Sequence, residues 1–321
     1  MHSNRKGDVM LKYVLKRLGY ILVTLWVIVT CTFFMMKNLP GTPFDAERFS
    51  IMTPQQQERV LEMYGLNDSL PMQYVKYIKN MLQGDLGTSF TYVNKDVSKV
   101  ITGRLGPSAL IGIQAVLIGL AIGLILGILA AWKHNSGIDY FTMILAVLGV
   151  SVPNFVAAAL LQYYIGLKWG ALPVGFWTGW NCSVLPSIAL SFSATAMVAR
   201  FMRTEMLDVL DQDYIVTARA KGLSQMKVLM RHAVRNSILP VVTILGPIVV
   251  NLMTGSLAVE NIFSIPGIGS LFVDCIKAND YPVIMGITIF YAAFYMLIVL
   301  LVDLAYSLID PRIRLAKGKE S

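Results

Sequence analysis

Charge is scarce in this sequence. Only 14% of its 321 residues are Asp, Glu, Lys or Arg, where a soluble globular chain carries roughly 25%. Some 55% are hydrophobic, and the mean hydropathy is +0.61. Such a chain cannot hide its apolar surface in one water-facing core, which excludes an ordinary soluble domain. Cysteine is equally sparse: Cys31, Cys182 and Cys275 form no CxxC pair and no metal spacing. A bridge between Cys182 and Cys275 is allowed, but single cysteines read first as apolar packing residues. The three histidines, His2, His134 and His232, are far apart, and the latter two read as surface groups near lipid headgroups. No Walker A sequence, HExxH or GxSxG occurs, so neither an ATP site nor a hydrolytic centre is expected in this chain. No metal or cofactor is expected on it either.

Long apolar runs are what the sequence has instead. At 1.5 Å per residue, about 20 apolar residues cross the roughly 30 Å of bilayer hydrocarbon. Six segments qualify: 18–36, 108–132, 141–167, 185–201, 238–258 and 284–308. The expectation is an all-α membrane protein with six transmembrane helices. The fourth segment is the least apolar, rich in Ser, Thr and Ala, which suits a helix facing other helices. The first run ends in Phe33-Phe34-Met35-Met36-Lys37 without small residues for cleavage, so it reads as a retained span. Met10-Leu11-Lys12 reads as a natural start, leaving residues 1–9 dispensable.

The formal net charge of +8 is resolved by its distribution. With the N-terminus inside, segments 1–17, 133–139, 200–236 and 309–321 are cytoplasmic. They hold 17 of the 27 basic residues and, counting Asp303, 9 of the 19 acids; the external segments hold 10 of each. Excess positive charge on the inner side is what anionic lipids and the membrane potential favour. Nucleic acid is not needed to explain it, and both termini are expected in the cytoplasm.

Residues 37–107 form the largest external stretch, between the first span and the five-span core 108–308. Thr53-Pro54-Gln55-Gln56 has the form of a capping box opening a helix that Gly65 stops. A second helix is expected from Pro71 to Gln83, with Gly84 after it, and a third from Val97 to Leu105. In the second span Gly119, Gly123 and Gly127 recur every fourth residue, and packing against another helix is a better reading of this stripe than a pore. Pro153, Pro186, Pro240 and Pro247 each remove a backbone donor, which a bundle or a water-lined path can absorb. Asp303 is the one charge clearly within a predicted span; it reads either as a polar site beside a central path or, preferably, as one half of a structural pair near the inner face.

The richest local signal lies at 202–236, a cytoplasmic segment with strong helix start and stop residues. Asp211 or Asp213 is expected to cap a helix, Gly222 to end it, and Ser224 to cap a second, basic helix reaching Asn236. Two short helices joined at a glycine suggest a docking element for a soluble partner.

This segment resembles the coupling loop of ABC importer permeases, whose general form is EAA, three residues, then Gly. Here it reads Val216-Thr217-Ala218-Arg219-Ala220-Lys221-Gly222. Ala218 and Gly222 match the general form, and the glutamate is absent. The version Tyr-Ile-x-Thr-Ala-Arg-Ala-Lys-Gly-Leu, carried here from Tyr214 to Leu223, is similar to the peptide and nickel branch. Three further stretches carry the same likeness. They are Tyr64-Gly65-Leu66-Asn67 through Gly84 to Ser89, Ile262 through Gly269 with Asn279-Asp280-Tyr281-Pro282, and Val302 to Tyr306 with Asp310-Pro311-Arg312. The chain most resembles B-type permeases of oligopeptide or dipeptide importers.

The resemblance implies a type I importer fold in the bacterial plasma membrane, working by alternating access. It implies a homologous second permease, two cytoplasmic ATPases holding ATP and Mg, and an external substrate-binding protein. Asp213, Tyr214, Thr217, Ala218, Arg219, Ala220, Lys221 and Gly222 would meet the ATPase. Peptides are the favoured cargo; nickel, glutathione and metal–chelator complexes are the alternatives within the branch. A membrane enzyme and a non-transporting receptor or scaffold are the alternatives outside it.

Overall fold

A computed structural model describes residues 2–38, 49, 51–63, 65–92, 95–253 and 256–309. Helices dominate them. In chain order they are α1 (His2–Lys37), α2 (Pro54–Met63), α3 (Leu70–Leu82), α4 (Val97–Trp132), α5 (Gly137–Ser151), α6 (Asn154–Leu161), α7 (Val184–Leu210), α8 (Asp213–Ala220), α9 (Gln225–Val228), α10 (Arg235–Met253), α11 (Leu257–Ile262), α12 (Ile268–Lys277) and α13 (Tyr281–Ile309). Among the described residues, five helical stretches are long and apolar enough to cross a membrane, and the bent pair α5–α6 makes a sixth if counted as one span.

Three elements differ from their expected form. The helix expected at Val97–Leu105 and the span expected at 108–132 are one continuous helix, α4, running through Pro107. Val97, Val100 and Ile101 are buried, so apolar anchoring holds the helix together across a residue that costs it one donor. The span expected at 141–167 is broken by 100° between α5 and α6. Val152, the residue before Pro153, is extended (φ −82°, ψ 119°), because the proline ring disfavours helical geometry there. The expected loop 202–236 is mostly helical: α7 continues to Leu210, and α9 runs through a wide turn at Leu229–Val234 into α10.

The chain divides into two compact units, Met1–Gly106 with Leu271–Met296, and Pro107–Ser270 with Leu297–Ser321. In the first, α3 packs on α1. Thr30 Oγ1 and Tyr74 OH share a 2.7 Å hydrogen bond, and Phe33 lies edge-on to Tyr74 at 5.4 Å. The capping box of α2 is formed reciprocally: Thr53 N–H donates to Gln56 Oε1 at 2.9 Å, and Gln56 N–H to Thr53 Oγ1 at 3.4 Å.

Asp280 organises the other end of this unit. Its buried carboxylate accepts from Ser89 Oγ, from Phe90 N–H at 3.2 Å and from Thr91 N–H at 3.0 Å. It also caps α13 through Val283 N–H at 3.4 Å, with Pro282 following at a position that needs no donor. Replacing Asp280 with alanine strands these buried donors and should cost about 3 kcal/mol. Amide hydrogen exchange over residues 85–92 should then accelerate about a hundredfold; an unchanged rate would remove Asp280 from this role. Nearby Cys275 is buried and free, and burial, with Asp280 and Asp274 close by, pushes its thiol up to about 12. Cys182 is likewise buried and free.

In the second unit α7 is the central helix. Of its apolar window 67% is buried, against 28% for α4, which accounts for the small residues that made it the least apolar span. Ser187, Ala189, Ala194 and Ala199 all face neighbours. The glycine stripe of α4 lies against it: a Cβ on Gly119 would stand 2.7 Å from Ala194 Cβ, and one on Gly123 2.7 Å from Val198 Cβ. A Cβ on Gly127 would stand 2.6 Å from the Ala199 carbonyl oxygen. The two backbones meet along this line.

Candidate functional site

The segment following α7 is built as a short arm. Helix α7 has 27 residues, about 40 Å at 1.5 Å per residue, so it is longer than the roughly 30 Å hydrocarbon layer. A turn at Asp211 and Gln212 leads into α8. Gln212, not an aspartate, occupies the N-cap, and no side chain caps it. Asp213 is instead the acid of the first turn, where it favours the positive end of the helix dipole.

The far end of α8 closes in a Schellman motif. Gly222 N–H donates to Arg219 O at 2.9 Å and Leu223 N–H to Ala218 O at 3.4 Å, with Gly222 at φ +77°. This satisfies carbonyls that a helix end leaves orphaned. Leu223 then folds back on a small cluster of Ile215, Ala218 and Val228, with Val209 and Leu210 of α7 beside it. Two residues three apart therefore anchor α8. Asn236 Nδ2 donates to Tyr214 OH at 3.0 Å, and Ser237 Oγ to Glu205 O at 3.2 Å, joining the start of α10 to both α8 and α7.

Of the residues singled out here, Ala218 is buried, while Asp213, Tyr214, Thr217, Arg219, Ala220, Lys221 and Gly222 are exposed. Thr217 Oγ1 is engaged with Asp213 O at 3.0 Å. Arg219 and Lys221 pair with no acid among the described residues. A half-exposed Tyr214, an exposed Val216 and two cations thus stand on a helix whose apolar anchors are already spent. An arrangement of this kind can bind a partner without disturbing its own core.

Three buried acids form charged sites whose partners the sequence does not show. Glu260 is buried in α11, where its carboxylate accepts from Ser108 Oγ at 2.7 Å and Ser270 N–H at 2.8 Å. Ser108 Oγ in turn accepts from Ile268 N–H at 2.8 Å. A Cβ on Gly267 would collide with that carboxylate, so the Ile-Pro-Gly-Ile-Gly run is shaped around Glu260. The second is Asp280, already described. The third joins Asp139 to Arg203, with Nε to Oδ1 at 2.6 Å and a terminal nitrogen to Oδ2 at 2.8 Å. His134 belongs to this group, its Nδ1 lying 3.1 Å from Asp139 Oδ2 and 3.2 Å from Arg203, while its side chain stays exposed. All three acids sit at helix ends, where a hydropathy window has already closed.

Asp303 lies in α13, but its side chain is outside the described residues, as are Tyr64 and the Asp310-Pro311-Arg312 run. Between α4, α5, α6 and α7 lies a cavity of 1020 Å³ lined by apolar side chains such as Ile122, Leu145, Leu161 and Phe192. It offers a peptide backbone few hydrogen-bonding partners.

Comparison with known proteins agrees with this architecture. The family described as "Binding-protein-dependent transport system inner membrane component" matches residues 123–315. "Binding-prot-dependent transport system membrane comp, N-term" matches residues 10–106. The dipeptide transport system permease protein DppB of Lactococcus lactis subsp. cremoris is 46% identical over 95% of this chain and 100% of its own length. DppB of Bacillus subtilis is 43% identical over 96% of this chain and 99% of its own. The oligopeptide transport system permease protein OppB of Escherichia coli K12 is 38% identical over 95% and 100%. The chain belongs to the family of inner membrane components of binding-protein-dependent transport systems.

Among solved structures, the MetNI methionine ABC transporter in inward-facing conformations aligns with a TM-score of 0.53 and 14% identity, over 66% of this chain and 97% of that one. An amino acid ABC transporter with histidines aligns at 0.50 and 19%, over 67% and 94%. At such identities the likeness concerns the fold alone, which is that of type I importer permeases.

Proposed function

We propose that this chain is the path-forming permease subunit of an ATP-driven importer that brings di- or oligopeptides into a bacterial cell by alternating access. The observation that carries the reading is full-length similarity to dipeptide and oligopeptide permeases of three bacteria, at 38 to 46% identity. In this reading both termini and the short arm that follows α7, with α8 and α9, lie in the cytoplasm. A homologous second permease completes the path, since the apolar cavity of this chain alone suits peptides poorly. Two ATPases, which hold the ATP and Mg, dock on Asp213, Tyr214, Thr217, Arg219, Lys221 and Gly222. An external binding protein delivers the solute. ATP binding draws the docked arms together and tilts the helices to which they are fixed, opening the path outward; hydrolysis resets it. This chain needs no cofactor of its own.

The test is co-reconstitution of the chain with those partners in vesicles. Labelled peptide should accumulate only with ATP on the ATPase side and binding protein on the other. Absence of ATP-driven uptake for a library of two- to five-residue peptides, in vesicles whose complex is assembled, would sink the reading. A thiol probe at position 216 should also react from the cytoplasmic side alone.

A further inference from the structure

The ion cluster joining α5 to α7 sits one step above the docking arm. Seven residues separate Arg203 from Leu210, two helical turns. Leu210 in turn packs against the cluster that anchors α8. Any displacement of α8 therefore reaches Arg203 through one unbroken helix. Arg203 grips Asp139 through both carboxylate oxygens, a geometry that fixes orientation as well as distance. Asp139 is buried, and its Oδ2 also accepts Asn135 N–H at 3.0 Å, so it is held from its own side as well. Asn135 takes the left-handed conformation, φ 58°, in the turn that starts α5.

At its other end α5 stops at the 100° break before α6. Elsewhere α5 meets α7 through small apolar contacts, such as Gly149, where a Cβ would lie 3.0 Å from the Phe192 carbonyl oxygen. Such surfaces allow one helix to slide along another. A two-pronged ion pair does not. From this geometry we infer that Asp139 and Arg203 are positioning residues, a latch that makes α5 and its break move with α7 when the arm is pulled. His134 lies half-exposed at the edge of the cluster and takes no part in the latch.

This inference rests on the proposed importer function, and its test separates the two. In the reconstituted complex, ATP hydrolysis and peptide uptake are measured together per assembled transporter. Asp139→Asn keeps the size of the side chain and removes its charge. Arg203→Lys keeps the charge and removes the fork. Either should lower uptake about tenfold while hydrolysis stays within about twofold, so that ATP spent per peptide rises at least fivefold. The double variant should be no worse than the weaker single one. His134→Gln should leave the ratio unchanged.

Uptake and hydrolysis falling in parallel, or both remaining at the unsubstituted level, overturns the latch. So does failure of both single variants to assemble, since the pair would then serve folding alone. If the unsubstituted complex shows no ATP-driven uptake, the importer reading fails instead.

Discussion

Valine at position 127 is expected to abolish recovery of folded protein. Helix α4 passes α7 so closely there that a Cβ would stand 2.6 Å from the Ala199 carbonyl oxygen, 2.8 Å from Met202 Cβ and 3.2 Å from Arg203 N. Two of these three atoms are backbone, so relief requires moving a helix. Within lipid, no hydrophobic drive compensates for the lost contact, because acyl chains are as apolar as the side chains. Overpacking costs about 1–3 kcal/mol in soluble cores, where neighbours can shift; here it should exceed that range and approach the few kcal/mol by which domains are stable. Separating α4 from α7 would also expose the cluster around Met202 and Met206. The measurement is monodisperse, heat-resistant protein after detergent extraction. Gly127→Ala should lower the melting temperature by several degrees, and Gly127→Val should leave little to measure. Gly103→Ala, in the same helix with nothing within 4 Å of the added carbon, should be neutral or stabilising by up to about 1 kcal/mol. Normal melting of the Gly127→Val protein would show that the two helices are not in contact along this stripe.

The stripe was legible because three glycines at a spacing of four have one plain physical use, the close approach of another helix, here at Ala194, Val198 and Ala199. The capping box at Thr53, the helix end before Gly84 and the arrest at Gly222 were legible for the same reason: each depends on residues within a few positions of one another. What failed did so at prolines and at long range. A helix ending at Leu105 and a span beginning at 108 read as two elements, yet α4 runs through Pro107 as one; the burial of Val97, Val100 and Ile101 is a tertiary effect. Pro153 reads as a tolerated kink and is a 100° corner; nothing in the apolar run announces how sharply the chain turns. The sites formed by Glu260, Asp280 and Asp139 are not legible because each finds partners far along the chain, as in Ser89 with Asp280. A single sequence shows the charge and not what receives it. The contact of the exposed His134 with Arg203, 69 positions away, is hidden in the sequence on the same ground.

A β-branched residue at Gly222 is expected to abolish uptake while the protein still inserts and assembles in the membrane. The cause lies in the backbone. A Cβ at this position meets nothing within 4 Å, so crowding plays no part; the φ of +77° does. An L-residue pays roughly 1–2 kcal/mol there, and a branched one more. The cheapest relief is to leave the left-handed region, which breaks the bonds from Gly222 N–H to Arg219 O and from Leu223 N–H to Ala218 O. The last turn of α8 then unwinds, and Arg219 and Lys221 leave the surface on which an ATPase would dock. The rest of the molecule has little reason to follow, since Ile215, Ala218 and Val228 hold α8 through a small cluster of its own. Uptake should fall at least about tenfold for Gly222→Val, with membrane quantity unchanged. Gly222→Asn should retain a larger share, because asparagine tolerates this conformation better than other side-chain-bearing residues. Equal uptake by the valine, asparagine and unsubstituted proteins would mean that the end of α8 transmits nothing, and that the docking surface lies elsewhere on the chain.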